Sequence, residues 1–351
     1  MSILYRYVLR EFLVPLFYCI TGFVGIYVMF EMFGSFNRLM ESKLPIGDIA
    51  AYFAGYLSPF FQWLLPAALM LATLYTMWNF CRHSEITAMR ASGVGFAAIV
   101  APLITVATVF TLAVFASNEW YAPDAAENAS DLRSSRFKVT DVKIARNIPY
   151  YNRYDRRIWR VDRMDTRRPN TLYGVKVTID RPNGTREVDI TCARADYLDG
   201  VWWFSYPKYR YFDENNDQIA DPSPSSSALV LRQFPEFSEK PRDFVLMNKA
   251  WEFYNISDML QYLREHPTLD ANERTERVYD LHAKIAAPFA CIIITLLAIP
   301  FGVATGRQSV FNGVMSAVGL FFGYYGAVIG GMVLAKNGFV NPVIAAWVPN
   351  I

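Results

Sequence analysis

Three long apolar stretches, a polar middle and three further apolar stretches make up this chain. Uncharged segments cover 12–30, 49–81 and 91–118, then resume at 285–306, 308–335 and 337–351. A bilayer-crossing helix needs about 20 apolar residues. Five of the six segments approach or exceed that length. The sixth reaches only roughly 22 Å at about 1.5 Å per residue, short of a ~30 Å hydrocarbon core, so we expect a chain cut short at residue 351. The pattern predicts an α+β membrane protein. Residues 1–119 would carry transmembrane helices 1–3 and residues 271–351 helices 4–6, around an inserted domain over 120–270.

Within that domain the period of the pattern falls to two. Val175, Val177 and Ile179 alternate with other residues, as do Val188, Ile190 and Cys192 in the next run. Asn183-Gly184 between them is a strong hairpin signal. Asp199-Gly200 marks another turn, before Val201 to Phe204, and a further strand is expected over 228–234. Residues 213–217 and 221–227 read as loops. Short strands at this spacing indicate a sandwich or an open roll with an apolar interior. One helix is expected from a Ser257 cap to His266, and a second from near Asn272 into the fourth apolar segment.

The membrane body carries few charges, so its local signals stand out. Arg6 and Arg10 precede an apolar run too long for a signal-peptide core, which predicts a retained first helix. Pro59 and Pro66 lie in the second segment, where neighbouring helices can satisfy freed carbonyls. Between the second and third segments, Ser84 and Gly93 bracket a short helix as cap and stop. Glu85 stands in its first turn, and Ile86, Met89 and Arg90 fall on neighbouring faces. Such a helix suits docking to a partner; by chemistry alone the plainer reading is an ordinary interfacial loop helix. In the fifth segment Gly319, Gly323, Gly326 and Gly330 form two small-x3-small patterns, which permit close helix packing or a moving gate.

Charge sharpens the division. The net charge is +2, but 25 of 34 Lys+Arg and 26 of 32 Asp+Glu fall between Trp120 and Asp280. A middle that is highly charged yet nearly neutral lacks the basic excess of a nucleic-acid domain. Among short-loop cations, Arg6, Arg10, Arg82, Arg90 and Arg307 lie on the side of the N-terminus, against Arg38, Lys43 and Lys336 on the other. That bias puts the N-terminus in the cytoplasm and the middle domain outside it. The sequence contains no Walker A, HExxH or GxSxG motif. His83, His266 and His282 are too scattered for a metal site, and Cys19, Cys81, Cys192 and Cys291 match no metal or CxxC spacing. No catalytic residue, metal or cofactor is expected. Energy for work on a substrate must come from another polypeptide.

Four groups of residues together resemble one family. They are Arg6-Tyr7 with Pro59 and Pro66; Ser84-Glu85-x3-Met89-x-Ala91-Ser92-Gly93; Glu119-Trp120-x-Ala122-Pro123; and Leu281-His282-x-Lys284-Ile285-x2-Pro288 with Pro300-Phe301-Gly302. In this order, on a 3+3 plan, they resemble the lipopolysaccharide-export permease family LptF/LptG, and the ending Asn341-Pro342 to Pro349-Asn350 is more similar to LptG. The resemblance implies an ABC transporter permease of the inner membrane with a periplasmic β-jellyroll. Its implied partners are a paralogous permease, a cytoplasmic ATPase dimer, and a periplasmic jellyroll bridge with a single-helix anchor. Lipopolysaccharide is the implied substrate.

Residue by residue, the resemblance gives Glu85 the acidic position of a coupling helix near 84–92, with Met89 and Arg90 beside it. Arg38, and less closely Lys43, fall near basic positions that meet lipid A phosphates. Here Glu31 and Met32 occupy an approach where the family carries more lysines. Arg38 also suits a snorkelling interfacial anchor. The glycine-rich fifth segment is compatible with the family's lateral gate. Alternatives are another ABC-type permease, such as a lipoprotein-release component, a membrane scaffold or receptor with a sensory β-domain, and a lipid-modifying membrane enzyme. The last is disfavoured by the absent catalytic motifs.

Overall fold

The computed structural model describes residues 3–42, 44–134, 143–152, 154–220, 230–266, 269–305 and 310–351. Lys43, Arg307 and the loop over 221–227 lie outside them. The chain divides into two units. One comprises Met1–Lys138, Asn255–Leu263 and Thr268–Ile351, the other Val139–Tyr254 and Arg264–Pro267.

The first unit is helical. Its first apolar segment folds as α1 (Ile3–Ser42), about 60 Å long at 1.5 Å per residue, twice a bilayer core. α1 thus extends well beyond 12–30 at both ends. The second segment comprises α2 (Ile46–Leu57), a 3-10 turn Ser58–Phe60 holding Pro59, and α3 (Phe61–Arg82) with Pro66 inside it. Then come α4 (Glu85–Ala91), α5 (Phe96–Trp120) and α6 (Ala122–Ser134). α6 is polar, and no apolar run announced it. Gly55 makes room for it, because a Cβ at that position would overlap the Ala125 carbonyl.

Five helical segments among the described residues are long and apolar enough to cross a membrane: Ile3–Phe36, Ile46–Arg82, Phe96–Trp120, Ala271–Val303 and Val318–Lys336. Their outward faces are apolar, with Phe30 81% and Phe322 69% exposed, as lipid-facing side chains must be. Val8, Phe12, Leu69, Phe80 and Leu103 fill the core among α1, α3 and α5.

The second unit is one antiparallel sheet with a short helix. Its strands are β1 (Ile144–Asn152), β2 (Arg157–Asp165), β3 (Thr171–Asp180), β4 (Arg186–Leu198), β5 (Val201–Ser205), β6 (Lys208–Phe212), β7 (Gln218–Ile219) and β8 (Leu231–Phe234). They run in the order β1-β2-β3-β4-β5-β8, with β6 pairing β4 and β7. β4 branches: Val188–Thr191 pair with β6, Arg194–Leu198 with β5.

A crease crosses four strands at Asn147, Asp162, Gly174 and Ala193, which the pairing skips while their neighbours stay in register. The buried phase slips by one residue there on every strand. Ala145 and Ile148, Val161 and Met164, Leu172 and Val175, and Cys192 and Ala195 are all buried. Asn147 and Gly174 take positive φ, and a Cβ on Gly174 would overlap the Asp162 carboxylate. Aligned irregularities of this kind bend a sheet. The bend is visible in the core. Trp159 of β2 lies 5.6 Å from Trp202 and 5.8 Å from Phe204 of β5, ring to ring. Three strand spacings separate β2 from β5, about 14 Å in a flat sheet, so the sheet is rolled. α7 (Pro241–Asn248) closes the roll with Phe244, 5.2 Å from Trp159.

The chain returns to the helical unit in α8 (Ile256–Glu265). Ser257 is not its cap. The Asn255 side chain accepts from the Asp258 N–H, and the Ser257 hydroxyl instead donates to Glu119 at the end of α5. α9 (Ala271–Ala286) is capped by Asp270, α10 (Ala290–Thr305) continues it past a 3-10 turn, and α11 (Val310–Lys336) follows. α12 (Pro342–Trp347) has six residues, about 9 Å of helix and too short to span.

Candidate functional site

The chemistry of the helical unit concentrates around α4. α3 ends in a left-handed residue, Ser84 (φ 59), whose N–H bonds the Cys81 carbonyl. The sequence reading made Ser84 a side-chain cap for α4, but it makes no capping bond. Its backbone joins the two helices instead, the N–H bonding the Cys81 carbonyl of α3 and the carbonyl accepting from the Ala88 N–H of α4 at 3.0 Å. At the other end Gly93 (φ 88) completes a Schellman motif, with Val94 N–H to the Met89 carbonyl and Gly93 N–H to the Arg90 carbonyl.

Both ends being fixed, α4 presents two faces. Ile86 is 8% exposed, and with Met89 it packs into the apolar cluster of Val8, Phe12 and Phe80. Thr87, Ala88 and Arg90 face outward. Glu85 lies between, half-buried, and its Oε2 accepts a 2.8 Å hydrogen bond from the Tyr7 hydroxyl. Beside it Arg82 stacks over Trp78, 5.1 Å from the ring centroid. Arg90 is thus exposed and Glu85 partly so, whereas Met89 serves mainly to hold the helix down.

A second polar cluster lies on the C-terminal half of α1. Glu31 is 7% exposed, and its Oε1 accepts from Ser35 at 2.7 Å and Tyr52 at 2.6 Å. Arg133 of α6 approaches Oε2 to 3.6 Å and donates to Tyr56 at 2.9 Å. Burying a carboxylate is expensive unless it is paired and hydrogen-bonded, and here three helices contribute partners. Sequence reasoning registered Glu31 only as a departure from lysine. Nothing in the pattern linked it to Tyr52 or to Arg133. Farther along α1, Arg38 is placed by its backbone only, its side chain lying outside what is described, and Lys43 is outside the described residues.

An open apolar groove of about 340 Å³ is lined by Phe23, Ile26 and Phe30 of α1, Trp63 of α3 and Phe321 of α11 among others. Among the described residues, nothing beyond their own stretch of α11 comes within 4 Å of where a Cβ would stand at Gly319, Gly323, Gly326 or Gly330. The glycines that mediate contacts inside the chain are others: Gly331 against the Ala345 carbonyl, Gly302 against Met77 and Gly55 against α6. The described residues hold no cluster of metal-ligating side chains. No disulfide joins any of the four cysteines, and burial pushes the Cys192 thiol up to about 12.

Comparison with curated proteins gives no match. A family model does match: that of the lipopolysaccharide export system permease LptF/LptG, over residues 6–351. That span takes in α4 with Tyr7 and Glu85, the Glu31 cluster, the groove and the rolled sheet. This multi-pass membrane protein, a transport component by its kinship, therefore belongs to the LptF/LptG family of lipopolysaccharide export permeases.

Proposed function

We propose that this chain is one of two paralogous permease subunits of an ABC transporter. It extracts lipopolysaccharide from the inner membrane and passes it to a periplasmic jellyroll bridge, powered by a cytoplasmic ATPase dimer. The observation that carries the reading is α4. A short helix, fixed at both ends and packed down by Ile86 and Met89, holds Glu85 and Arg90 at an accessible surface. That arrangement suits a rigid lever on which a separate motor acts. The apolar groove along α1 suits an acyl chain, while Arg38 and Lys43 would meet lipid A phosphates. The open glycine face of α11 would pack against the partner permease. The rolled sheet would serve as the periplasmic jellyroll, continuing the route, and α12 as the start of a sixth span. The ending leans toward LptG. The Glu85→Ala variant tests the reading. Affinity-purified parent complex should retain an ATPase and release lipopolysaccharide from proteoliposomes on ATP addition. Glu85→Ala should lose the ATPase, or hydrolyse without release. Parental assembly and release in the variant would remove α4 as the coupling element.

A further inference from the structure

We infer that Tyr7 is a positioning residue for Glu85, orienting its carboxylate toward the ATPase and tying α1 to α4. The inference rests on the coupling role proposed above for Glu85 and adds a part that role does not contain. Glu85 opens a seven-residue helix, preceded by a left-handed Ser84 whose side chain supplies no capping bond. Among the described residues its side chain has one hydrogen-bond partner, the Tyr7 hydroxyl, 2.8 Å from Oε2. A glutamate rotates about three side-chain bonds and loses entropy when it is held. Tyr7 therefore defines where the remaining oxygen points before any partner arrives.

Tyr7 is itself fixed. Its ring stacks on Phe80 of α3, with centroids 5.9 Å apart and planes at 27°. The next residue, Val8, is fully buried in the cluster that also holds Ile86. A hydroxyl at the N-terminal end of a helix about 60 Å long is thus hydrogen-bonded to the carboxylate that would receive a cationic donor. Oε2 is occupied by α1 and Oε1 is left for the partner, so a displacement of α4 is carried into α1 through a directional bond as well as through apolar contact.

Tyr7→Phe is the discriminating change, because it keeps the stacked ring and removes only the hydroxyl. In the purified complex, with its co-purifying ATPase titrated back after removal, Tyr7→Phe should weaken ATPase binding about threefold to tenfold, the net worth of one ordinary solvent-accessible hydrogen bond. Melting of the permease should be unchanged. In a Glu85→Ala background the same substitution should have no further effect, since the hydroxyl acts only through the carboxylate. Parental binding by Tyr7→Phe, or an equal loss in both backgrounds, would overturn the inference. Hydrogen exchange over 84–92 in the permease alone gives a readout independent of any motor. Tyr7→Phe should accelerate it, and an unchanged rate would count against Tyr7 as a brace. Failure of the coupling reading looks different: Glu85→Ala then both binds the ATPase and releases lipopolysaccharide like the parent, whatever Tyr7→Phe does.

Discussion

Asp189 shows how one side chain of the sheet reports on pH. It is buried, accepts 2.7 Å from the Thr178 hydroxyl, and faces Lys176 at 2.9 Å, Arg186 at 3.7 Å and Arg210 at 3.9 Å. Burial alone would raise its pKa. The Thr178 and Lys176 bonds, with the charges of Lys176 and Arg186, outweigh that and hold it below its ordinary 3.8. A carboxyl lowered on folding contributes stability that is complete above its unfolded pKa and is lost as pH falls through the folded one. Asp189→Asn should therefore destabilise the sheet unit by about 1–3 kcal/mol near neutral pH, and the gap to the parent should narrow below about pH 4. Tryptophan-fluorescence melts of the full chain in detergent, reporting through buried Trp159 and Trp202, would show this. A gap constant from pH 7 to pH 3 would mean that the residue acts by shape rather than by charge. In the sequence Asp189 is one charge among many in the middle domain. Its partners come from β3, from its own strand and from β6, and no local spacing joins them. The same holds for Glu31, whose tyrosine and arginine partners stand 21 and 102 positions away in the chain.

Elements were legible where one property repeats. The apolar runs reveal the five spans, and period-two alternation reveals β3 and β4, because burial of one face leaves a regular trace. The trace breaks at the crease. A slip of one residue at Asn147, Asp162, Gly174 and Ala193 makes each long strand look like two short ones. α6 and α7 were illegible for another reason: α6 buries only small residues, Ala122, Pro123, Ala126 and Ala129, whose helical spacing carries little hydropathy among polar neighbours, and α7 buries just Pro241 and Phe244. Glycine in α11 carries both kinds of message. Gly323→Leu should leave folding and the melting temperature of the isolated permease unchanged, since among the described residues no other element packs within 4 Å of where its Cβ would stand, yet impair export if the partner permease packs there. Gly331→Leu should instead destabilise the permease itself, because a Cβ there stands 2.7 Å from the Ala345 carbonyl and α11 would be forced from α12. Comparing melting and export for the two variants checks the assignment. Export at parental level in Gly323→Leu would move the interface to another face of α11.

At the scale of the whole molecule, the two units handle apolar surface in opposite ways. The helical unit leaves large side chains outward for lipid and keeps an open groove. The sheet unit turns them inward and seals them: Val175 is 1% exposed, Val177 is fully buried, and the rings of Trp159, Trp202, Phe204 and Phe244 fill the roll. An interior packed this closely cannot hold an acyl chain without displacing side chains, since cores have few voids. If lipopolysaccharide travels through the roll, the roll must open, and Phe244 of α7, together with Phe237 just before that helix, closes it from outside the strands. Photo-crosslinkers at Val175, Val177 or Val188 should therefore capture lipopolysaccharide only during ATP turnover in the assembled transporter. Phe244→Ala should raise capture by loosening the lid, at a stability cost of about 3–5 kcal/mol. Lys176, which projects from the opposite face of the same strand to reach Asp189, is the control position. Capture at Lys176 with none at the three valines would put the lipid on the outside of a roll that stays shut.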